Sequence, residues 1–306
     1  MSEVFSYTHP TGYLFSLNER VALSTSLPLL TTQTKRRRVR IWGKVFGLKA
    51  NYILAQAFDD DLIAEPELFY SIDEGLTFTL IGTTSSLLSG VSHIGSTPME
   101  QEEFKYHLLR EIRGTFMGDP AYEYRVTSPH EVGGSSSSDR GSKGVSRSYK
   151  ESLRVALFVE EHDYNCRVAP RGAFFQSERQ EGLHPEIKLN SAFEGLPRTL
   201  EGALALKNYY HIRASNPYRR LLNMQLGKAP LEEIFENASI DAVFSNIAED
   251  IPADLWRLQY DPLYNLVVGR NAQFPGSIFF HVPETAKYGN IYIGDGTINH
   301  NVAFMI

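Results

Sequence analysis

The sequence predicts an α+β protein with a mainly antiparallel sheet and a few helices. The C-terminal quarter contains short strand-like runs separated by turn signals such as Asp261-Pro262 and Pro275-Gly276. A second strand-like pattern, in which apolar and polar residues alternate, begins at Val39. Helical spacing of apolar residues is confined to a few other segments. Because short strands joined by turns are typical of antiparallel sheets, we expect the C-terminal strands to form a β-meander.

The composition is that of a folded protein. The chain has 306 residues, 42% hydrophobic and 22% charged, so we expect it to bury a sizeable core within one domain over residues 1–306. Its 30 basic and 36 acidic residues give a net charge of −6, which argues against broad attraction to nucleic acid or acidic lipid. The single cysteine, Cys166, excludes an intramolecular disulfide and a cysteine-based zinc site. The absence of a signal-peptide pattern or a long apolar run predicts a soluble, cytosolic protein.

The first predicted helix begins after Ser16. Ser16 and Glu19 have the spacing of a capping box, in which each side chain accepts a hydrogen bond from the backbone of the other residue. Pro28 is expected to end or kink this helix. One face of the helix is expected to contain Leu17, Val21 and either Ser24 or Leu27.

A basic run, Lys35–Arg38, follows this helix and leads into a predicted hairpin. The run is interpreted as cations near a helix C-terminus and on the solvent face of a strand, with a nuclear signal or a phosphate-binding patch as the alternatives. The hairpin is expected to pair Val39–Val45 with Tyr52–Gln56 and to bury one face. Leu68–Leu80 is expected to be extended, with a turn at Asp73–Gly75.

The middle of the chain alternates between helix and strand signals. A helix is predicted over Met99–Arg113 after the cap residues Thr97-Pro98. The Gly/Ser-rich segment of about residues 132–148 is predicted to be a flexible loop inserted in the fold, with a linker between domains as the alternative. Leu153–Val159 is predicted to be a strand. The strongest helix signal is expected to be Thr199–Arg213, with a shorter helix at Leu231–Ala238.

No residues with a catalytic, cofactor-binding or metal-binding pattern are predicted. The histidines are scattered, and His162-Asp163 is expected at the surface of a strand with the two side chains on opposite faces. Cys166 is expected to be a small buried apolar residue. The alternative to a structural protein is an enzyme or small-molecule-binding protein with a cleft lined by His281, Tyr292 and Asp295.

Four blocks carry a family resemblance. They are residues 42–56 (WGKVFGLKANYILAQ), residues 116–124 (FMGDPAYEY), a third block that joins Pro170–Phe174 to Tyr210–Arg213, and a fourth that runs from Asp250 through Trp256 and Lys287–Gly289 to Phe304–Ile306. In this order the blocks resemble the radial spoke head protein 9 family over nearly the whole chain. The sequence departs from the family pattern mainly at residues 82–106 and in the Gly/Ser-rich segment.

The resemblance implies a non-enzymatic structural component of the radial spoke head in the axoneme of motile cilia and flagella. The implied partners are radial spoke head proteins 4 and 6, the MORN-repeat head proteins and, transiently, the projections of the central pair, with signals passed on towards the dynein arms. No cofactor, nucleic acid or membrane is implied. The residues expected to act as structural or interface positions are Trp42, Gly43, Gly47, Tyr52, Phe116, Gly118, Asp119, Pro120, Tyr122, Arg171, Gly172, Trp256, Tyr288 and Gly289.

Overall fold

Two meanders, one from each end of the chain, form the main sheet of the protein. The computed structural model describes residues 2–59, 64–91, 97–128, 145–176, 187–213 and 244–304. The helices in these ranges are α1 (Ser2–Thr8), α2 (Leu17–Thr34), α3 (Thr84–Ser89), α4 (Pro98–Glu111) and α5 (Glu151–Cys166). The strands are β1 (Arg38–Val45), β2 (Tyr52–Phe58), β3 (Glu67–Ser71), β4 (Thr79–Gly82), β5 (Glu123–Ser128), β6 (Val145–Lys150), β7 (Val168–Pro170), β8 (Phe174–Gln176), β9 (Ile187–Leu189), β10 (Tyr209–Ile212), β11 (Phe244–Asn246), β12 (Trp256–Asp261), β13 (Leu266–Asn271), β14 (Ser277–His281) and β15 (Tyr288–Gly294).

The main sheet has eight strands in the order β12-β13-β14-β15-β1-β2-β3-β4. Each meander is antiparallel, and the two are joined by the parallel pairing of β1 with β15, in which Gly43 lies opposite Tyr292. Smaller sheets contain β11-β10-β7, β5-β6 and β8-β9. The predicted α+β class, the 39–56 hairpin and the C-terminal meander are therefore confirmed.

Both faces of the main sheet are covered. Helix α2 packs on one face through Leu23, Leu27 and Leu30, and α5 packs on the other through Val155, Phe158 and Val159. Strand β2 is consequently buried along its whole length. The expectation that the hairpin buries one face was wrong, because its inner strand lies in the middle of a sheet with a helix on each side.

Helix α2 begins as predicted, but it buries a different face. Both hydrogen bonds of the Ser16–Glu19 capping box are present, and the helix continues past Pro28 to Thr34. Leu17 and Val21 are 67% and 60% exposed, so the predicted apolar face was wrong. The face against the sheet contains Glu19, Ala22, Leu23, Ser26, Leu27 and Leu30. Its leucines, Leu23, Leu27 and Leu30, are spaced four and three residues apart and form the apolar row that packs on the sheet.

The predicted strand at Leu153–Val159 is the centre of helix α5. A short continuous apolar run fits a buried strand and a buried helix equally well. Here the run is a helix surrounded on several sides, because the main sheet contacts one side while α3, α4 and β6 contact another through Leu153 and Leu157. His162, Asp163 and Cys166 therefore lie on a helix, and Cys166 ends that helix two residues before β7.

The predicted helix over Thr199–Arg213 is also wrong. This segment forms turns, a short 3₁₀ turn at Leu206–Asn208 and strand β10, which pairs with β7 and β11. The side-chain amide of Asn208 donates to the carbonyls of Glu201 and Gly202 at 2.6 and 2.7 Å, which stabilises a turn in place of a helix. Tertiary pairing of β10 thus overrides the local helical spacing.

The remaining expectations have three outcomes. The Thr97-capped helix and the extended segment around Asp73–Gly75 are confirmed by α4 and by the β3–β4 pair. The predicted helix at Leu231–Ala238 and most of the Gly/Ser-rich segment lie outside the described residues. The end of that segment was predicted incorrectly, because residues 145–148 belong to β6 and pair with β5.

Replacement of Gly43 tests the junction between the two meanders. A Cβ atom at Gly43 would lie 2.1 Å from the carbonyl oxygen of Tyr292, so Gly43→Ala must push β1 away from β15. We expect a loss of about 2–3 kcal/mol in the free energy of unfolding, measured by denaturant titration.

Gly90→Ala is the matched control. A Cβ atom there would contact only the Leu87 carbonyl oxygen at 3.4 Å, and the backbone is in the right-handed helical region. This variant is expected to stay within about 0.5 kcal/mol of the parent. Equal stability of Gly43→Ala and the parent protein would contradict the parallel junction.

Candidate functional site

The first feature of the site is the carboxylate of Glu151, which is fully buried at the start of α5. It accepts hydrogen bonds from the hydroxyls of Tyr52 and Tyr124 at 2.5 and 2.6 Å. The backbone N–H groups of residues 117, 118 and 119 donate to it at 2.7, 2.7 and 3.1 Å. A negative charge at a helix N-terminus is favourable, and these donors satisfy it in the interior. One side chain thereby joins α5 to β2, β5 and the 116–119 loop.

The tyrosines around Glu151 remain neutral donors. Burial and the hydrogen bond to Glu151 raise the pKa of Tyr52, and the same two causes raise the pKa of Tyr124 to about 12. The Tyr124 hydroxyl also accepts a hydrogen bond from Arg154 at 2.7 Å. The Arg154 guanidinium donates to the Gly114 carbonyl at 2.6 Å and lies 4.0 Å from the centre of the Phe116 ring. Glu151 and Arg154 thus balance each other's charge through one phenol.

A second carboxylate, Asp163, joins the other end of α5 to the sheet. The indole N–H of Trp42 and the side-chain amide of Gln56 donate to it at 2.8 and 2.7 Å. Burial disfavours the ionised carboxyl group, but the adjoining His162 ring and the Arg40 guanidinium outweigh burial and bring the pKa of Asp163 to about 2. Asp163 is therefore an ionised structural group, and the expectation that His162 and Asp163 lie at the surface was wrong.

His162 belongs to the aromatic core beside Asp163. Its ring centre lies 4.9 Å from that of Trp42 and 5.0 Å from that of Tyr292. Its Nε2 is 3.0 Å from the Ser277 hydroxyl, and burial lowers its pKa. Trp42 is 3% exposed, so this predicted site residue is a core residue in the described structure.

Trp256, the second tryptophan of the chain, makes contacts like those of Trp42. The indole N–H of Trp256 and the His211 Nε2 lie 2.9 and 2.7 Å from the same oxygen of Asp250. Burial lowers the pKa of His211. Both tryptophans of the chain thus donate to an aspartate that adjoins a buried histidine, and the second cluster joins β10 to the start of β12.

The predicted residues of the first two blocks meet around the Glu151 cluster. Gly47 and Gly118 both pack on the backbone of Ala50, and a Cβ atom on either would lie 2.2 Å from its carbonyl oxygen. Gly47 forms a bridge with Phe116, and Asp119 pairs with Lys49 at 3.0 Å. These contacts explain the need for glycine at both positions.

Two predicted residues of the second block lie beside the N-terminus of α5. The backbone carbonyls of Pro120 and Tyr122 accept hydrogen bonds from the first residues of the helix at 3.2 and 2.8 Å. The Tyr122 side chain is 37% exposed. This pair therefore fixes the entry into α5 and leaves one aromatic ring partly at the surface.

The remaining predicted residues lie away from the Glu151 cluster. Gly289 faces the Phe280 ring, which a Cβ atom would approach to 2.7 Å, and the Tyr288 ring packs edge-on against Phe174. Arg171 and Gly172 form the exposed turn between β7 and β8. The sequence analysis did not single out Glu151, placed Asp163 at the surface, and included Asp250 and His211 only within the resembling blocks. No motif marks these four residues as members of the clusters.

The predicted cleft of His281, Tyr292 and Asp295 is absent. His281 and Tyr292 are fully buried, whereas Asp295 is exposed. His281 Nδ1 lies 3.1 Å from the Tyr209 hydroxyl, and burial lowers the pKa of His281 to about 4. A cavity of about 750 Å³ lies elsewhere, between the end of α4, the residues that follow it and residues 296–301.

Metal-binding clusters and membrane-spanning helices are both absent from the described ranges. No three His, Cys, Asp or Glu side chains there are arranged to hold a metal ion. None of the helices described has the length and apolar character needed to span a bilayer.

The fold and this site define an α+β protein in which three largely buried carboxylates hold a central helix and several strands together. Proteins named radial spoke head protein 9 homolog match almost the whole chain. The Danio rerio protein is 31% identical over 295 residues, which cover 96% of this chain and 94% of that protein. The Mus musculus and Homo sapiens proteins are each 31% identical over 300 residues, covering 97% of this chain and 95% of each protein.

The chain therefore belongs to the radial spoke head protein 9 family, although no family model matches it. Membership makes it a radial spoke head protein, a class associated with the axoneme and motility of cilia and flagella.

Replacement of Glu151 tests the first cluster. In Glu151→Gln an amide nitrogen takes the place of one carboxylate oxygen, so at least one buried donor loses its acceptor. We expect a loss of about 2–4 kcal/mol in the free energy of unfolding. Glu123→Gln, on an exposed residue of β5, is the control and should change little. A loss below about 0.5 kcal/mol for Glu151→Gln would show that the carboxylate does not hold these elements.

The buried histidines predict a loss of stability in acid. His281 has a pKa of about 4 when folded and 6.5 as its ordinary value, so the unfolded chain binds more protons between these pH values. Stability therefore falls as pH drops from 6.5 to 4, by about 3 kcal/mol from this residue. His281→Gln should reduce the proton uptake on unfolding near pH 5 by about one, measured from the pH dependence of denaturant unfolding. The exposed His107→Gln is the control, and an equal effect of both variants would contradict the assignment.

Proposed function

We propose that this protein is a non-catalytic structural component of the radial spoke head, needed to assemble the head and to transmit mechanical signals between the central pair and the dynein arms. The observation that carries the proposal is the 31% identity to radial spoke head protein 9 homologs along nearly the full length of both chains. We also propose that residues 1–306 act as one domain, made in the cytoplasm and incorporated into the axoneme.

Hydrogen bonds to largely buried carboxylates support the structural role. Glu151, Asp163 and Asp250 each accept hydrogen bonds from residues of other elements. Buried hydrogen-bonded networks of this kind rigidify a core when their members are satisfied. A part that keeps its shape under load can pass a displacement from one neighbour to the next.

The proposed neighbours are radial spoke head proteins 4 and 6 and the MORN-repeat head proteins, with transient contact to the projections of the central pair. Of the expected interface residues, Tyr122, Arg171 and Gly172 have surface exposed to a partner. The net charge of −6 supports an acidic outward face of the head that touches the central apparatus only briefly, since like-charged surfaces do not adhere.

Recovery from axonemes tests this function. A tagged copy is expressed in ciliated cells that lack the endogenous protein, and salt-extracted axonemes are purified through the tag. We expect recovery of the other spoke head proteins and restored beating. Arg171→Glu, on the exposed β7–β8 turn, should reduce their recovery at an unchanged Tm, because a charge reversal at a contact weakens binding.

Arg257→Glu, on an exposed residue of β12, is the control and should behave like the parent. A chain found only in the soluble fraction, with no spoke head protein attached, would contradict the proposed function.

A further inference from the structure

The cavity at the end of α4 has apolar inner walls and a basic mouth. Its volume is about 750 Å³. The apolar lining consists of Leu109, Ile112, Phe116, Phe158, Pro275 and Ile298. Phe116 and Phe158 are each 1% exposed and form the inner end, whereas Arg110 and Arg113 are exposed and therefore lie at the mouth. An occupant that fits must be apolar inside and acidic outside.

The charge at the mouth is not balanced by the protein. In the part of the chain that the structure describes, no carboxylate lies within 4.0 Å of the guanidinium groups of Arg110 or Arg113, and no Asp or Glu lines the cavity. Lys105 on the same helix, by contrast, pairs with Glu102 at 3.0 Å and with Glu160 at 2.7 Å. Arg113 Nε donates to the backbone carbonyl of Arg110 at 2.8 Å, which leaves both positive charges without a carboxylate partner in these residues, in a chain of net charge −6.

The third arginine of the lining, Arg154, does not add to this imbalance. Its guanidinium is linked to Glu151 through the Tyr124 hydroxyl, as described above. The positive potential of the cavity therefore comes from the mouth, where solvent and a partner both have access.

We propose that this cavity is a docking site for an acidic segment of a neighbouring protein. The segment inserts an apolar or aromatic side chain against Phe116 and Phe158, and its carboxylates pair with Arg110 and Arg113. That the neighbour is another spoke head protein rests on the proposed function, but the chemistry of the segment rests on the cavity alone. Buried aromatic anchors surrounded by a polar rim are the usual arrangement of binding hot spots.

A peptide segment fits better than a small anion. The arginines stand at the mouth and the inner walls are apolar, so a phosphate would leave the inner volume unfilled. Gly114 lines the cavity, and a Cβ atom there would meet nothing within 4 Å, which leaves room for a chain to lie across the surface. Asn301 and Thr297 add hydrogen-bonding groups along the opposite wall.

Photo-crosslinking in axonemes tests the docking site. The variant Thr297→p-benzoylphenylalanine is expressed in ciliated cells that lack the endogenous protein, axonemes are irradiated, and the attached segment is sequenced by mass spectrometry. We expect one segment with at least two Asp or Glu residues beside an apolar or aromatic residue. Adding R110E and R113E should lower the crosslink yield about tenfold or more, because attraction becomes repulsion.

Two further variants distinguish the effect of charge at the mouth from the effect of the shape of the cavity. R38E with R257E makes the same change in charge at exposed residues away from the cavity and should leave the yield unchanged. Asn301→Trp fills the mouth without changing the charge and should lower the yield as R110E/R113E does. The Tm of each purified variant is measured to confirm that it is folded.

The outcomes distinguish this inference from the proposed function. Three results would overturn the docking site and leave the spoke head assignment intact. The chain could enter axonemes normally but give no crosslink, it could crosslink to a segment without carboxylates, or R110E/R113E could leave the yield unchanged. A chain absent from axonemes overturns the proposed function, whereas a crosslink to an acidic segment in the soluble fraction still supports the docking site. If inorganic phosphate raises the Tm of the parent protein but not of R110E/R113E, and no crosslink forms, the cavity is an anion site and the proposal is wrong.

Discussion

The parallel pairing of β1 with β15 is the constraint on which the architecture depends. The other neighbouring strands described in this sheet pair antiparallel, whereas β1 and β15 pair parallel. Their pairing joins the first strand of one meander to the last strand of the other. The pairing requires Gly43, since any side chain there would overlap the Tyr292 backbone. Trp42 and Lys44, on either side of Gly43, then face opposite layers: Trp42 reaches Asp163 on α5, and Lys44 reaches the buried Glu19 on α2. The two helical layers are thus positioned from one point in the sheet.

Carboxylates hold both ends of helix α5, but the helix dipole favours the negative charge at only one of them. Glu151 lies in the first turn, where the helix dipole favours a negative charge. Asp163 lies in the last turn, where the dipole opposes it, so the contacts from Trp42, Gln56 and Arg40 must supply the stabilisation. Because α3 and α4 pack on the outer side of α5, this attachment also fixes the wall of the cavity relative to the main sheet.

Local signals in the sequence predicted local structure well. The capping box at Ser16 and the cap residues Thr97-Pro98 correctly marked the starts of α2 and α4, because each signal involves residues at most three positions apart. The turns of the C-terminal meander were predictable for the same reason. Helix α5 and strand β10 were not, because a buried apolar run has no period that separates helix from strand, and β10 is extended only through its pairing with β7 and β11. The family resemblance indicated Trp42, Tyr52, Phe116 and Trp256, all of which contact the carboxylate clusters or their aromatic surroundings. Their acceptors Glu151, Asp163 and Asp250 have no motif, since their side-chain donors, apart from Trp256 six residues after Asp250, are distant in the chain.

The position of β15 also has a consequence for synthesis on the ribosome. The strand that completes the sheet beside β1 is made more than 240 residues after β1. Until then the N-terminal meander presents β1 as an open edge, and an open strand edge is a template for pairing with other chains. Contacts between distant parts of a chain also form slowly. The nascent protein therefore has a long interval in which it depends on protection of that edge, and a transcript truncated before residue 288 would yield a product that can never close it.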